Sequence, residues 1–410
     1  NRIEEALMRY YDKVTPDGTR DLLFGECVSR GEAVSRLTTM FRARGYRQVI
    51  TPAIEFYDVF GSSAAHFPQE NMYKLTDTRG RLMVIRPDCT IPIARLVATR
   101  LAASPMPLRL YYSENVYRVE HDLRGKRNEV FQTGVELIGS NALRSDLEIV
   151  ELAASGLSDI GGERFRIELC HIGYFKALID SLDAPGETKE QIRQCIEQKN
   201  YPALGDLLDP FGAARAALAL RYLPRLFGGE EVFEKAYALF DENGARESLD
   251  YLRSIYDYLR QLGLEGSVIV DLGLVNQIEY YTGIIFRGYF DGIGEPVLSG
   301  GRYDNLISDF GAALPAVGFA VNADLASAVI EKQPPQTPDI LVFSDEAHLP
   351  QAVNYIRSLT DNGLVVESSM FDDYDASADY ARRRGIRQLH VVDDDIEVVD
   401  LVKMQREGRA

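Results

Sequence analysis

Apolar and polar side chains alternate strictly from Val130 onward: Phe131, Val135 and Leu137 point one way and Gln132, Gly134 and Glu136 the other. That two-residue period predicts a strand with one apolar and one polar face. Upstream, Arg118 and Glu120 share a face of a second strand, joined to the first by a charged loop. If the two strands pair antiparallel, an arginine, a glutamine and two glutamates meet over one surface. Such a surface is either the wet side of an ordinary antiparallel sheet or the floor of a ligand site. Gly134 bears on the choice, because a glycine weakens a strand and marks a close approach to the backbone. A Gln and a Glu two pleats apart are also acceptors for an ammonium or an imidazole N–H.

The pattern along the rest of the chain predicts a mixture of elements. Val34, Leu37 and Phe41 recur at helical spacing over residues 27–45, where Gly45 supplies the stop. YRQVI predicts a short strand broken at Thr51-Pro52, and a proline there places TPAIEF along a sheet border or a subunit contact. A strand over residues 81–85 leads into RPDCT, and residues 91–103 have helical spacing with Pro92 tolerated in the first turn. Asp88 and Thr90 stand at that helix start, either as caps or as acceptors for a ligand ammonium. A helix over residues 147–156 and a strand in GERFRIELCHIG come next.

From about residue 174 to residue 264 the stripes turn helical, as at Leu252, Ile255, Leu259 and Leu262, which reads as a helical insertion. Strand pattern resumes in SVIVDLGLVNQIEYYTGIIFRGYF, with Glu279, Tyr281 and Gly283 on one face and Ile278, Tyr280 and Ile284 on the other. VLSGGRYDNL is expected as strand, glycine turn and helix, Gly300-Gly301 serving a tight turn or the close approach of a small molecule. AVGFAV predicts a last core strand, and Asn322 is placed to cap a helix in ADLASAVIEK.

A polar, proline-rich stretch then divides the chain into a core of residues 1–332, a linker of residues 333–338 and a domain of residues 339–410. In the last, ILVF, a helix, VVES, a second helix and LHVV alternate as a small α/β domain. A length of 410 residues agrees with more than one core.

Charge narrows the partners. The chain carries 45 basic and 62 acidic residues, net -17, which argues against a general affinity for nucleic acid or an anionic membrane. No apolar run is long enough to span a bilayer and the first residues lack a signal-peptide core, so a cytoplasmic location is expected. Cys27, Cys89, Cys170 and Cys195 form no C-x-x-C pair, and the five histidines are scattered, so neither a disulfide framework nor a metal site is expected. Arg124, Lys126 and Arg127 lie in the charged loop, as a phosphate contact or a solvated hairpin tip.

The order of these motifs resembles the core of a class II aminoacyl-tRNA synthetase of the histidyl type, over about residues 15–332. GYRQVITPAIE resembles its dimer-forming first motif, with Pro52 at the motif's proline, and YRVE resembles its second, with Arg118 at the motif's arginine. RPDCT, FQTGVELIG, IEYYTG and SGGRYDNL stand where the family has its amino-acid pocket. The resemblance implies an α+β fold built on an antiparallel sheet, and a histidine pocket of Asp88, Thr90, Arg118, Gln132, Glu136, Tyr281 and Tyr303. It also implies a homodimer contact at Pro52.

Two departures change the expected activity. Asn276-Gln277-Ile278-Glu279 stands where the synthetases carry the arginine that helps activate histidine, and VGFAVNADLA puts Leu325, with Asp324 before it, where the third motif ends in an arginine. Losing one such charge-stabilising donor typically costs ~100-fold to 1,000-fold in rate. A synthetase-like chain with a histidine pocket and without ATP machinery is similar to the ATP phosphoribosyltransferase regulatory subunits. That family implies no catalysis and no cofactor of its own, assembly with a short-form catalytic subunit, and feedback inhibition by histidine. An active histidyl-tRNA synthetase is the alternative. Residues from Asp339 onward sum to 15 acidic and 8 basic, net -7, a poor surface for a polyanionic RNA.

Overall fold

The computed structural model describes residues 12–61, 67–119, 127–242, 244–275, 281–331 and 337–401. The leading helix, Glu120 and the charged loop to Lys126, the segment from Asn276 to Tyr280 and most of the linker lie outside the described residues.

The strands in chain order are β1 (Arg47–Gln48), β2 (Ile54–Phe56), β3 (Lys74–Thr76), β4 (Leu82–Ile85), β5 (Leu108–Tyr117), β6 (Glu129–Ile138), β7 (Phe165–His171), β8 (Phe227–Gly228), β9 (Val268–Asp271), β10 (Ile284–Phe290), β11 (Leu298–Arg302) and β12 (Ala316–Asn322). Nine of them form one sheet in the order β1-β5-β6-β12-β11-β10-β7-β9-β8. Pairing is antiparallel except for β1 with β5 and β7 with β9. β2, β4 and β3 form a separate antiparallel sheet with β2 at an edge.

One face of the large sheet is covered by two helices. Gly25–Ala43 buries Ala33, Leu37 and Phe41 at four-residue spacing and ends before Gly45, whose φ of 81° suits a glycine. Leu143–Gly161 lies beside it, with Gly156 against Leu37 and Leu157 against Gly288. The apolar alternates of the strands meet these helices, as where Phe41 packs edge-on against Phe319 at 5.9 Å.

Between β7 and β9 the chain folds mostly into helices, the last of which, Ala245–Gln261, buries Leu249, Leu252, Ile255 and Leu259. Leu262 is not part of that stripe. The helix ends at Gln261, and Leu262 is 56% exposed.

Several other elements differ from the sequence pattern. Gly300 and Gly301 make no turn but lie inside β11, opposite Phe319 and Gly318. The helix after Cys89 is regular only over Thr90–Leu96, and the one after Asn322 only over Ala323–Ala326. Tyr281 precedes β10; its ring packs on Gly301, whereas Gly283 faces Arg302.

Residues 333–410 form a second compact unit. Its sheet has the order β14-β13-β15-β16, from β13 (Ile340–Ser344), β14 (Val366–Ser368), β15 (Gln388–Val392) and β16 (Ile396–Asp400). Alternate residues of β13 feed two clusters: Ile340 and Val342 with Ala352 of helix Leu349–Asp361, and Leu341 with Ala378 and Ala381 of helix Tyr374–Arg384. Among the described residues no helix is long and apolar enough to cross a membrane, and no cluster of side chains could hold a metal ion.

Candidate functional site

The face of the large sheet opposite the two helices is short of bulk. Its alternates are Tyr112 and Glu114 on β5, Gln132, Gly134 and Glu136 on β6, Gly318 on β12 and Gly301 on β11, aligned by the register Tyr112↔Gly134, Glu114↔Gln132, Glu136↔Gly318 and Gly301↔Gly318. The missing side chains make room for those that remain. A Cβ on Gly134 would lie 2.7 Å from the Tyr112 hydroxyl, and one on Gly318 would overlap a Glu136 carboxylate oxygen. The group that lies against Gly134 is therefore Tyr112 of this chain.

Glu136 is the most buried acid of this face, 1% exposed. Thr90 donates its hydroxyl to one carboxylate oxygen at 2.9 Å and the Tyr303 hydroxyl donates to the other. Both donors are neutral. Burial pushes the carboxyl up to about 8, the two hydroxyls pull it back, and Asp88 adds to the rise. Asp88 is raised as well, by burial, with Arg118 acting against it. The site thus holds two desolvated acids.

Asp88 and Thr90 arrive on the turn between β4 and the helix Thr90–Leu96. Asp88 accepts the backbone N–H of Ile91 at 2.8 Å, so the capping role is realised through one of its oxygens. What fixes the turn is Arg86, buried against Glu114 at 2.8 Å and donating to the carbonyls of Thr51 at 2.7 Å and Asn115 at 2.8 Å. Glu114 also accepts from the Thr51 hydroxyl at 3.2 Å.

Arg118 follows β5, donates to the Pro87 carbonyl at 2.7 Å, and stacks over Phe67 at 5.5 Å. It stands beside Asp88, at the rim. Tyr303 follows β11 and Tyr281 packs on Gly301, so both tyrosines reach the Glu136 end of the face. Gln132 lies two pleats along the same face, between Glu114 and Asn322 in register. The fold therefore joins Asp88, Thr90, Glu136, Tyr303, Tyr281 and Arg118 at one end, with Gln132 further along. Pro52 is elsewhere, exposed just before the edge strand β2.

At the other end of β6, Asp324 accepts the Phe131 N–H at 3.4 Å and faces Arg30 at 3.6 Å and Arg127 at 3.8 Å. Its carboxylate is nearly buried, 8% exposed. Asn322 caps this turn by accepting the N–H groups of Asp324 and Leu325, and Leu325 packs against the core.

A family model described as histidyl-tRNA synthetase matches residues 18–325. An ATP phosphoribosyltransferase regulatory subunit of Clostridium botulinum (strain Langeland) is 38% identical over 92% of this chain and 92% of its own length, and one of Clostridium kluyveri is 39% identical over 94% of this chain and its full length. The chain belongs to the family of ATP phosphoribosyltransferase regulatory subunits. Among solved structures, an ATP phosphoribosyltransferase regulatory subunit/histidyl-tRNA synthetase from Bacillus halodurans is 31% identical, with a TM-score of 0.81 over 90% of this chain and 96% of that one. A histidyl-tRNA synthetase from Nostoc sp. PCC 7120, 18% identical with a TM-score of 0.75, shares the fold. The fold is that of the class II synthetases.

Within this family frame, three sets of residues escape a reading of sequence alone. Tyr112 sits in the run LYYSENVY, where the tyrosine before it hides which of the two faces the site. Gly318 is one small residue in an apolar strand, and only its partner Glu136 gives it meaning. The Arg86–Glu114 pair spans 28 positions, and no local spacing predicts it.

Proposed function

We propose that this chain is a non-catalytic regulatory subunit of ATP phosphoribosyltransferase in histidine biosynthesis. It assembles with a short-form catalytic subunit, supports that subunit's activity and carries feedback inhibition by L-histidine. The observation that carries the histidine reading is Glu136, a buried acid with only neutral hydroxyls on its oxygens and a second raised acid, Asp88, beside it. Arg118 stands beside Asp88, but among the described residues no cation bonds to Glu136, and the ammonium or imidazole N–H of histidine would supply one. Tyr112, Tyr281 and Tyr303 line the same end and offer faces to an imidazole ring.

The absence of catalysis rests on the end of the third motif. Leu325 stands where the synthetase resemblance asks for a cation against ATP, and Asp324 before it is a nearly buried carboxylate facing two arginines. Two copies pair through the segment around Pro52, and the domain of residues 339–410 resembles a truncated anticodon-binding domain. Regulation follows from linkage: histidine acts only by binding the active and inhibited assemblies unequally, and a coupling of about 1 to 3 kcal/mol changes activity several-fold to a hundredfold.

The test is phosphoribosyl transfer to ATP by a short-form catalytic subunit from the same organism, assayed alone, with this chain, and with this chain plus histidine. Activity that requires the chain and is suppressed by histidine is the expected result. Histidine-dependent exchange of pyrophosphate into ATP by the chain alone would instead make it a synthetase.

A further inference from the structure

Behind the site, on the helix-covered face of the sheet, lies a polar cluster that the pocket itself does not use. Arg302 donates from Nε to Asp146 at 2.9 Å, from Nη1 to the Ser140 carbonyl at 3.1 Å and Asp304 at 2.9 Å, and from Nη2 to the Ser145 hydroxyl at 3.0 Å and again to Asp146. All five N–H groups of a guanidinium are thereby engaged, which fixes the position of its plane. The Asp146 side chain is fully buried and its second oxygen accepts the Tyr251 hydroxyl at 2.7 Å. Tyr251 belongs to the helix Ala245–Gln261 of the largely helical segment between β7 and β9, and its ring meets His171 edge-on at 5.6 Å.

The cluster holds the backbone from which the pocket tyrosines project. Arg302 and Asp304 flank Tyr303, so with strand alternation their side chains anchor one side while Tyr303 reaches Glu136 on the other. Thr282 receives the N–H of Asp304 on its hydroxyl at 3.0 Å and donates its own N–H to the Arg302 carbonyl at 2.8 Å. That ties the residue after Tyr281 to both neighbours of Tyr303.

We propose that Arg302, Asp146 and Tyr251 are positioning residues of the pocket, and that the Tyr251–Asp146 bond couples the helix Ala245–Gln261 to the placement of Tyr303 and Tyr281. The inference rests on the histidine reading only for the identity of the ligand. A partner or effector that shifts this helix changes the pocket without touching it, and ligand binding in the pocket is felt at the helix by the same coupling.

The test uses the full chain and Tyr251→Phe, which removes one hydroxyl remote from the pocket. Glutamate labelled with carbon-13 at the side-chain carboxyl is titrated by NMR, and the Glu136 signal is the one missing in Glu136→Gln. In the native chain Glu136 titrates at about 8, surrounded by Asp88, Thr90, Tyr303 and Tyr112. Removing the Tyr303 donor by Tyr303→Phe raises that midpoint. Tyr251→Phe is expected to raise it as well, and to add nothing in a Tyr303→Phe background; histidine affinity falls about three- to tenfold. An unchanged midpoint in Tyr251→Phe, or an equal shift with and without Tyr303, overturns the inference. Ser145→Ala, which removes another Arg302 acceptor, gives the same reading if Tyr251→Phe does not fold. Calorimetry run in parallel separates the two claims: a native chain that binds no histidine removes the histidine reading, while the ligand-free midpoints still decide the coupling.

Discussion

Glu136 carries its acid chemistry in a form that alternation alone does not reveal. Its direction is legible, since Gln132, Gly134 and Glu136 lie on one face as the two-residue period requires. Its protonation is not, because that depends on burial and on hydroxyls from Thr90 and Tyr303, the latter 167 positions away. With a carboxyl at about 8 in the fold and near the ordinary value unfolded, the folded chain keeps a proton that the unfolded chain gives up. Stability therefore falls as pH rises from about 5 to about 8 and levels off above, by an amount on the order of a few kcal/mol. Glu136→Gln, neutral at every pH, loses that slope; thermal melts should show the variant gaining on the native chain toward pH 9. Parallel profiles would mean that the acid is ionised throughout. The same substitution should weaken histidine binding about tenfold or more in calorimetry. At pH 7 the native chain should release a proton as the cationic ligand draws Glu136 into its ionised form, a release read from the buffer dependence of the binding heat.

At the scale of elements, periodicity identifies most strands and helices but not the reason for two of the glycines. Gly300-Gly301 looks like a turn because nothing in the local sequence shows that Phe319 and Tyr281 press on that backbone from neighbouring chain segments. The turn bearing Asp88 and Thr90 has the same character. Its sequence reads as a cap, and its position is set by Arg86 against Glu114 inside the fold. Arg86→Met leaves the Glu114 carboxylate buried without its cation, which is expected to cost about 3 to 5 kcal/mol in urea unfolding. Adding Glu114→Leu should restore most of that stability, since a well-packed apolar pair replaces a buried ion pair at little cost. Histidine affinity should stay low in the double variant, because the bonds from Arg86 to the carbonyls of Thr51 and Asn115 are still gone. Full recovery of affinity would show that the turn holds Asp88 and Thr90 without them.

At the scale of the whole molecule, the proposed pairing of two copies has a physical site. Ile54 and Phe56 stand on the outer face of edge strand β2 at 48% and 46% exposure, and Ile50, before Pro52, is 76% exposed, whereas Glu55 between them turns inward to Arg95 at 2.7 Å. Large apolar side chains at every second position of an edge form a strip that water solvates poorly and that a second copy would cover. In a two-fold contact each substitution acts twice, once from each protomer. The variant Ile50→Lys with Ile54→Lys places four ammonium groups into that contact and removes the apolar area, so sedimentation should report the monomer mass for the variant and twice that mass for the native chain. The outward direction of the strip keeps it apart from the core, so the variant is expected to melt within a few degrees of the native chain at equal protomer concentration. A variant that stays dimeric would move the interface off this strip, and a native chain that sediments as a monomer would remove the pairing altogether.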